Sequence, residues 1–266
     1  MSRRAARAGG KMLVDKFMNY FNKYSNWFSV LFYTHFLRSA PAVIRLRNGV
    51  KIFTNGELSA EWIIQEIMFK GDYEQHGLKI EENDLVVDIG ANIGVFSVHA
   101  ATKTRNSVFS FEPFETNFNT IKKNAEINAL GNIKPNLMAV SDKAGSSKLF
   151  LSNMNGGHLL FNRDNVKGLK KYIDVKTTTL QNIMDENDIK IIDFLKVDCE
   201  GSEGAIFSTA PKEYLQRIRK IALEFHDNVS SLKHEELSAL LEKSGFKTFT
   251  SWDGKSLFGY IYAIKK

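Results

Sequence analysis

Apolar positions recur along this chain with two different periods, and each change of period marks an element. Phe17, Tyr20, Phe21, Tyr24, Trp27, Phe28, Leu31 and Phe32 return at three- and four-residue spacing, while Asn19, Asn22, Lys23 and Asn26 take the other side. That spacing predicts one amphipathic helix with an aromatic stripe, bounded by Pro41. Ile44 and Leu46, then Asn48-Gly49, then Val50 and Ile52 spell a β-hairpin with a two-residue type I′ turn. Ser59 is placed to cap a helix through Trp62, Ile63, Ile67 and Phe69 that stops at Gly71; surface and packing roles are expected for Glu66 and Tyr73. Leu85, Val86, Val87 and Ile89 then form a short apolar run, as a strand buried on both faces requires, and Val95 to Ala101 continue as a helix. Val108, Phe109 and Phe111 repeat the strand pattern, followed by a helix carrying Phe118, Ile121 and Ala125 and by one strand around residues 136–140. Short strands at 148–151 and 172–176 flank a polar, glycine-bearing stretch, Asn153 to His158. The last part reads as buried strands at 191–197 and 221–226, a helix over 232–243, and two closing strands, 247–250 and 258–264, joined by a Trp252-Asp253-Gly254 turn. Strands alternating with helices predict an α/β domain with a largely parallel sheet.

The first chemistry lies where the strand at Leu85 ends. Asp88 sits at its carboxyl end, Gly90 and Gly94 bracket a tight turn, and Asn92 lies between them. Glycines there let backbone approach a ligand, and the following helix offers unpaired N–H donors. A dinucleotide fingerprint needs G-x-G-x-x-G, whereas this loop has two of the three glycines and a carboxylate just before it. A negative charge suits a pyrophosphate poorly and suits S-adenosylmethionine, which carries an ammonium and a sulfonium and has no phosphate. Glu112, ending the next apolar run, is placed to accept hydrogen bonds from ribose hydroxyls, and Asp142, at a later strand end, is a candidate for the adenine amino group, with a simple Ser-Asp-Lys turn as the other reading.

The second chemistry lies in Ile191 to Glu203, where Lys196, Asp198 and Glu200 share one face of an otherwise apolar strand. Ionisable groups in that position are costly unless paired or used. The next strand repeats the pattern with Glu224 and His226. If the two strands are parallel neighbours, Lys196 neutralises Glu224, while Asp198, Glu200 and His226 emerge together at the ligand end as the catalytic candidates. The acids could instead bind a divalent cation through oxygen ligands, although two carboxylates and a histidine do not identify one, and no metal is predicted. Ser202 is expected to cap the short helix that follows, and Cys199 to be a small buried filler rather than a nucleophile.

Composition narrows the setting. A single cysteine excludes a disulfide framework and makes a reducing compartment, the cytoplasm, the expected location. The formal net charge of +6 is concentrated in Arg3, Arg4, Arg7 and Lys11, so a nucleic-acid partner is not expected. No apolar run reaches the length of a membrane span. For the aromatic stripe at 17–36 the expected role is packing on the catalytic domain or on a second copy; the sharper reading is an interfacial helix with the basic tail on anionic lipid.

These residues resemble the FkbM-like family of S-adenosylmethionine-dependent methyltransferases. The resemblance rests on VVDIGANIGVFS (Val86 to Ser97), the FEP corner (Phe111 to Pro113), AVSDKAG (Ala139 to Gly145), DFLKVDCEGSE (Asp193 to Glu203) and LEFH (Leu223 to His226), and covers about residues 60–264. It implies a Rossmann-like class I methyltransferase fold: a seven-stranded, mostly parallel sheet, helices on both faces, and a final antiparallel strand. It also implies O-methylation of a hydroxyl on a sugar, glycan or natural product. Carried over to this chain, Asp88, Gly90 and Asn92 look like contacts to the methionine end, Glu112 to ribose and Asp142 to adenine. The expected segments are then a basic tail and aromatic helix (1–40), a hairpin and helix over the cofactor side (41–83) and the methyltransferase domain (84–266), with loops at 146–176 selecting the acceptor. A nucleic-acid base methyltransferase is disfavoured, because no Asn-Pro-Pro-Tyr-like run is present to hold a flipped base. A catalytically silent, cofactor-binding or membrane-associated scaffold is the alternative from another class.

Overall fold

A computed structural model describes residues 17–151 and 171–266. The basic residues Arg3, Arg4, Arg7 and Lys11 and the segment Asn153 to His158 lie outside the described residues. The chain divides into two compact units, one ending at Ile64 and one beginning at Gln65.

The first unit departs from the expected single helix. Residues 17–23 are helical, but Tyr24 leaves the helix to bridge Leu46, and a new helix, α1 (Trp27–Phe32), runs into a wider π-turn at Tyr33–Leu37. The break has a local cause. The Ser25 N–H donates to the Arg45 carbonyl, and the Asn26 side chain donates to the Val43 carbonyl while accepting from the Arg45 N–H, at 2.8 and 2.9 Å. Backbone and side chains that would have continued the helix serve the edge of the hairpin instead. That hairpin pairs β1 (Val43–Arg45) with β2 (Lys51–Phe53), Ile44 opposite Ile52. Its turn is not type I′. The Gly49 N–H returns to the Leu46 carbonyl and only Gly49, at φ 93°, has positive φ, so the loop is one residue longer, a turn followed by a left-handed glycine. Helix α2 (Ser59–Ile64) closes the unit, and the buried Tyr24 hydroxyl donates to Glu61.

The second unit is built on a seven-stranded sheet. Its strands are β3 (Val86–Ile89), β4 (Val108–Phe111), β5 (Ile133–Asn136), β9 (Ile192–Val197), β10 (Ile218–His226), β11 (Phe246–Ser251) and β12 (Phe258–Lys265). Their spatial order is β11-β12-β10-β9-β3-β4-β5, with β12 antiparallel to both its neighbours and the other pairs parallel. This is the mostly parallel sheet with an antiparallel closing strand that the sequence led us to expect. The expected strand at 136–140 is in fact two. Pro135 confines β5 to the sheet edge, where its missing N–H costs nothing, and β6 (Ala139–Val140) leaves to join β7 (Gly145–Phe150) and β8 (Tyr172–Thr178) in a separate three-stranded sheet.

Helices α3 (Val95–Lys103), α4 (Glu115–Ile127), α5 (Leu180–Glu186), α6 (Glu203–Thr209), α7 (Lys212–Leu215) and α8 (His234–Lys243) accompany the strands. One continuous core joins Val87, Ile89, Leu195, Val197, Leu223 and Phe225 to the inner faces of α5, α6 and α8. The order of connection reverses between β3 and β9, which opens a crevice at their carboxyl ends, where open α/β sheets bind ligands.

Gly90 sets how tightly that crevice closes. It has φ 74°, and a Cβ there would stand 1.7 Å from the Asp198 carbonyl oxygen. Gly90→Ala is therefore expected to destabilise the protein by ~3 kcal/mol or more, read as a lower urea midpoint, because neither backbone can retreat from a packed sheet. Gly131→Ala is the control: its Cβ would meet nothing within 4 Å, and the stability should hold or rise slightly.

Candidate active site

The site is organised by strand register. Asp88 on β3 lies beside Ser110 on β4 and Lys196 on β9, and Lys196 lies beside Ala222 on β10. Side chains two residues apart share a face, so the next row toward the crevice carries Glu112, Gly90, Asp198 and Glu224. The inner row is closed. Asp88 is fully buried, accepts a 2.6 Å hydrogen bond from Ser97 of α3, and forms a 3.2 Å ion pair with Lys196. Lys196 also donates to the Gly90 carbonyl at 2.7 Å and stands 3.6 Å from Asp198. Burial alone would lower the lysine pKa, but Asp88 and Asp198 more than offset it and hold the value above the ordinary one.

The outer row borders a cavity of about 580 Å³, counting its open mouth. Gly90, Asn92, Glu112, Asp198 and Glu200 line it, with Phe111, Val140 and Leu149 as apolar wall. Glu112 accepts from the N–H groups of Asn92 at 2.8 Å and Phe114 at 2.9 Å, which fixes the carboxylate at the cavity edge. Burial pushes its pKa up to about 7 against those bonds. Asn92 holds the turn in the left-handed region at φ 51°, a conformation that asparagine tolerates better than most side chains.

Four predicted site residues do not line this cavity. Asp88 is turned into the inner row, Gly94 opens α3 where an added Cβ would meet Ile121, Asp142 follows β6 and accepts from the Ser141 hydroxyl, and His226 lies behind the carboxylates. The expected pairing also changes. Lys196 bonds Asp88 and Asp198 rather than Glu224, because the β3–β9 register sets Asp88 directly opposite it whereas Glu224 is one row further on.

Glu224 instead meets Tyr73, whose hydroxyl stands 3.0 Å from Glu224 and 2.9 Å from Asp198. Burial, reinforced by Asp198, pushes the Glu224 carboxyl up to about 8, so at neutral pH it holds a proton. One phenolic hydrogen and one carboxyl hydrogen then satisfy three oxygens. Sequence reasoning set Tyr73 aside as packing, since nothing local links it to strands more than a hundred residues away.

His226 is a cation held by acids. Its Nδ1 lies 3.1 Å from Glu203, and its Nε2 3.5 Å from Glu200 and 3.8 Å from Glu224. Burial opposes the charge, but Glu203 and Glu200 raise the pKa well above the ordinary histidine value, so the ring donates protons rather than accepting them. Glu203, completely buried, also accepts from the N–H groups of Cys199 and Gly201. The capping expected of Ser202, which makes no side-chain cap, falls instead to the Ser230 hydroxyl, which accepts from the Gly204 N–H at 3.1 Å. The sequence signals for Glu203 were its place three residues after Glu200 at a helix start and its position as the last residue of DFLKVDCEGSE.

Glu200 is the exception within the cluster. Its backbone sits at φ 53°, a left-handed conformation costing about 1–2 kcal/mol for a residue with a Cβ. Its side chain is 31% exposed and faces the cavity. Burial, opposed by His226, pushes its pKa up to about 7. Cys199 beside it stays a thiol, because burial and the Glu203 charge raise its pKa well above the ordinary value. Asp198, Glu224 and His226 each bring one ligating atom within 4.8 Å of the others.

Comparison with known proteins agrees with this geometry. Residues 88–248, more than half of the chain, match the family described as the methyltransferase FkbM domain. The chain is 26% identical over 238 residues to the 31-O-demethyl-FK506 methyltransferase FkbM of Streptomyces tacrolimicus, covering 79% of this chain and 90% of that protein. It is also 26% identical to methyltransferase sdnD of Sordaria araneosa, over 71% and 83% of the two chains. It is 23% identical to the hexuronic acid methyltransferase AglP of Haloferax volcanii, over 79% and 83%. With its matched segment running from the end of β3 into β11 and enclosing both polar rows, this chain belongs to the FkbM methyltransferase-domain family.

Proposed function

We propose that the protein transfers a methyl group from S-adenosylmethionine to a hydroxyl oxygen of a sugar, glycan or other small polyhydroxylated acceptor. The cavity has what the cofactor needs. Glu112 is set to receive two hydroxyl donors, Phe111, Val140 and Leu149 offer an apolar slot for a flat ring, and the backbone of Gly90 and Asn92 with Asp198 forms an acidic end for a cationic group. When bound, S-adenosylmethionine supplies an electrophilic methyl on a sulfonium.

The observation that carries the reading is Glu200, a cavity-lining carboxyl with a pKa of about 7. A base is most effective when its pKa lies near the working pH. Glu200 takes the acceptor hydroxyl's proton as that oxygen attacks, and the His226 cation behind it steadies the carboxylate before transfer. Asp198 holds position through Tyr73 and Lys196 and keeps the site anionic where positive charge is to be bound. The names of the Streptomyces and Haloferax relatives, one marking an oxygen position and the other a sugar acid, favour an oxygen acceptor.

Calorimetric titration with S-adenosylmethionine and its demethylated product is the primary test. Binding is expected for both, and Glu112→Ala should weaken each by ~10-fold or more through loss of its charge-assisted hydrogen bonds; binding of neither would overturn the proposal. Because Glu112 itself titrates at about 7, affinity should fall as pH drops below that value and level off above it.

Glu200→Gln should lower turnover by ~10²- to 10⁴-fold while leaving cofactor affinity within about twofold. In the wild type the rate should rise with pH through about 7, and in the variant that rise should vanish while the pH dependence of binding stays.

Tyr73→Phe removes the donor that lowers the Glu224 pKa. The Glu224 carboxyl should then titrate above 8 by NMR, with a loss of ~1 kcal/mol in stability from the missing bond.

A further inference from the structure

We propose that the first unit is a membrane-surface anchor whose exposed aromatic face lies in the interface of an anionic bilayer. This goes beyond the methyl-transfer reading and does not depend on it. The helix break described above divides the aromatic stripe. Tyr20, Tyr24, Val30 and Leu31 turn inward, and Phe17, Met18, Phe21, Phe28, Phe32 and Phe36 stay exposed, Phe28 at 66% and Phe36 at 74%. The outer rings form a continuous layer: Phe32 stacks on Phe28 and on Phe36 with centroids 6.4 and 5.5 Å apart, and Trp27 meets Phe17, Phe21 and Phe28 edge to face. An apolar layer of this kind on a soluble protein marks an interaction surface.

Charge selects the occupant. The Arg47 guanidinium lies over the Phe21 ring at 4.4 Å, and exposed Arg38 follows Leu37 at the far end of the layer. Among the unit's described residues Lys23, Arg38, Arg45, Arg47 and Lys51 face two acids, Glu57 and Glu61, both next to or within α2. Residues 1–64 hold ten basic residues and three acids, a net +7, which leaves the remainder of the chain at −1. Phenylalanines bordered by arginines, on helices where none is long and apolar enough to cross a bilayer, are the composition of an element that lies on anionic lipid rather than spanning it. A second copy of this chain would oppose one basic rim to another. Nucleic acid would meet contiguous Phe, Met and Leu with few hydrogen-bonding groups.

The test is flotation of the full chain with vesicles of phosphatidylcholine alone and of phosphatidylcholine with about 30 mol% phosphatidylserine. The wild type should float with the anionic vesicles, with a partition coefficient ~10-fold or more above that for neutral ones, and should lose most of this gain at high salt. Phe28→Ser combined with Phe36→Ser, both at exposed positions, should reduce anionic-vesicle binding ~10-fold or more with unchanged circular dichroism. Leu257→Ser, which removes an apolar side chain 59% exposed from the second unit, should bind as the wild type does. Absence of flotation, or flotation equal in wild type and double variant, would overturn the proposal. So would a solution dimer that the double variant dissociates, or retention of an RNA oligonucleotide in place of vesicles.

Discussion

A single buried ammonium holds the catalytic unit's polar interior together. Lys196 reaches Asp88 on the neighbouring strand, the carbonyl of Gly90 in the turn and Asp198 at the cavity edge, and it does so with 3% of its side chain exposed. A buried charge is tolerated only when its partners surround it, and removing one partner from such a pair commonly costs about 3–5 kcal/mol. The pair is therefore less a source of net stability than a specification. It fixes which carboxylate faces inward and which faces the crevice, and it holds the glycine turn against β9. Every other feature of the site inherits its position from that choice.

Beyond the lysine, the site works by dividing protons unequally among similar groups. Glu224 keeps a proton at neutral pH, Glu200 stands near half-protonation, and His226 stays charged. Burial raises the two carboxyls, and carboxylates in turn hold the imidazolium. A histidine at a strand end invites the role of base, yet Glu203 and Glu200 beside its ring favour its charged form. The same reasoning relocates Asp88. Its charge is answered inside the protein, and the acidity presented to a ligand comes from Glu112, Asp198 and Glu200.

How much of this was legible in the sequence follows from how local each determinant is. The apolar runs at 86–89, 108–111 and 192–197 carry their own strand signal, and period-two alternation is enough to set Lys196 and Asp198 on one face, whereas Glu200 lies in the turn beyond the end of β9, left-handed at φ 53°, and not on the strand face expected for it. The partner of Lys196 depended on register between strands far apart in the chain, which no local pattern encodes, and so it was misjudged. Tyr73 was undervalued for the same reason. The helix over 17–32 failed differently. Its periodicity was real, but Ser25 and Asn26 found better partners on the hairpin edge than in a continued helix. The hairpin itself was evident, and its turn type was wrong by one residue because Leu46 and Val50 still bond across it. Asp142 was inferred from a strand that turned out to divide at residues 137–138 between two sheets.

The row of polar groups is made of strands rather than loops, and this has a consequence for how the protein comes into being. Gly90 and Lys196, in direct contact, are separated by 106 residues, and β10 gains its second neighbour only when β12 inserts between it and β11. Pairings of such long range form late, since the chain must first close large loops. A nascent chain that has emerged only through β5 would carry the glycine turn and Glu112 without Lys196 or Asp198, and so would have no complete pocket. The complete pocket therefore exists only once both halves of the sheet have met.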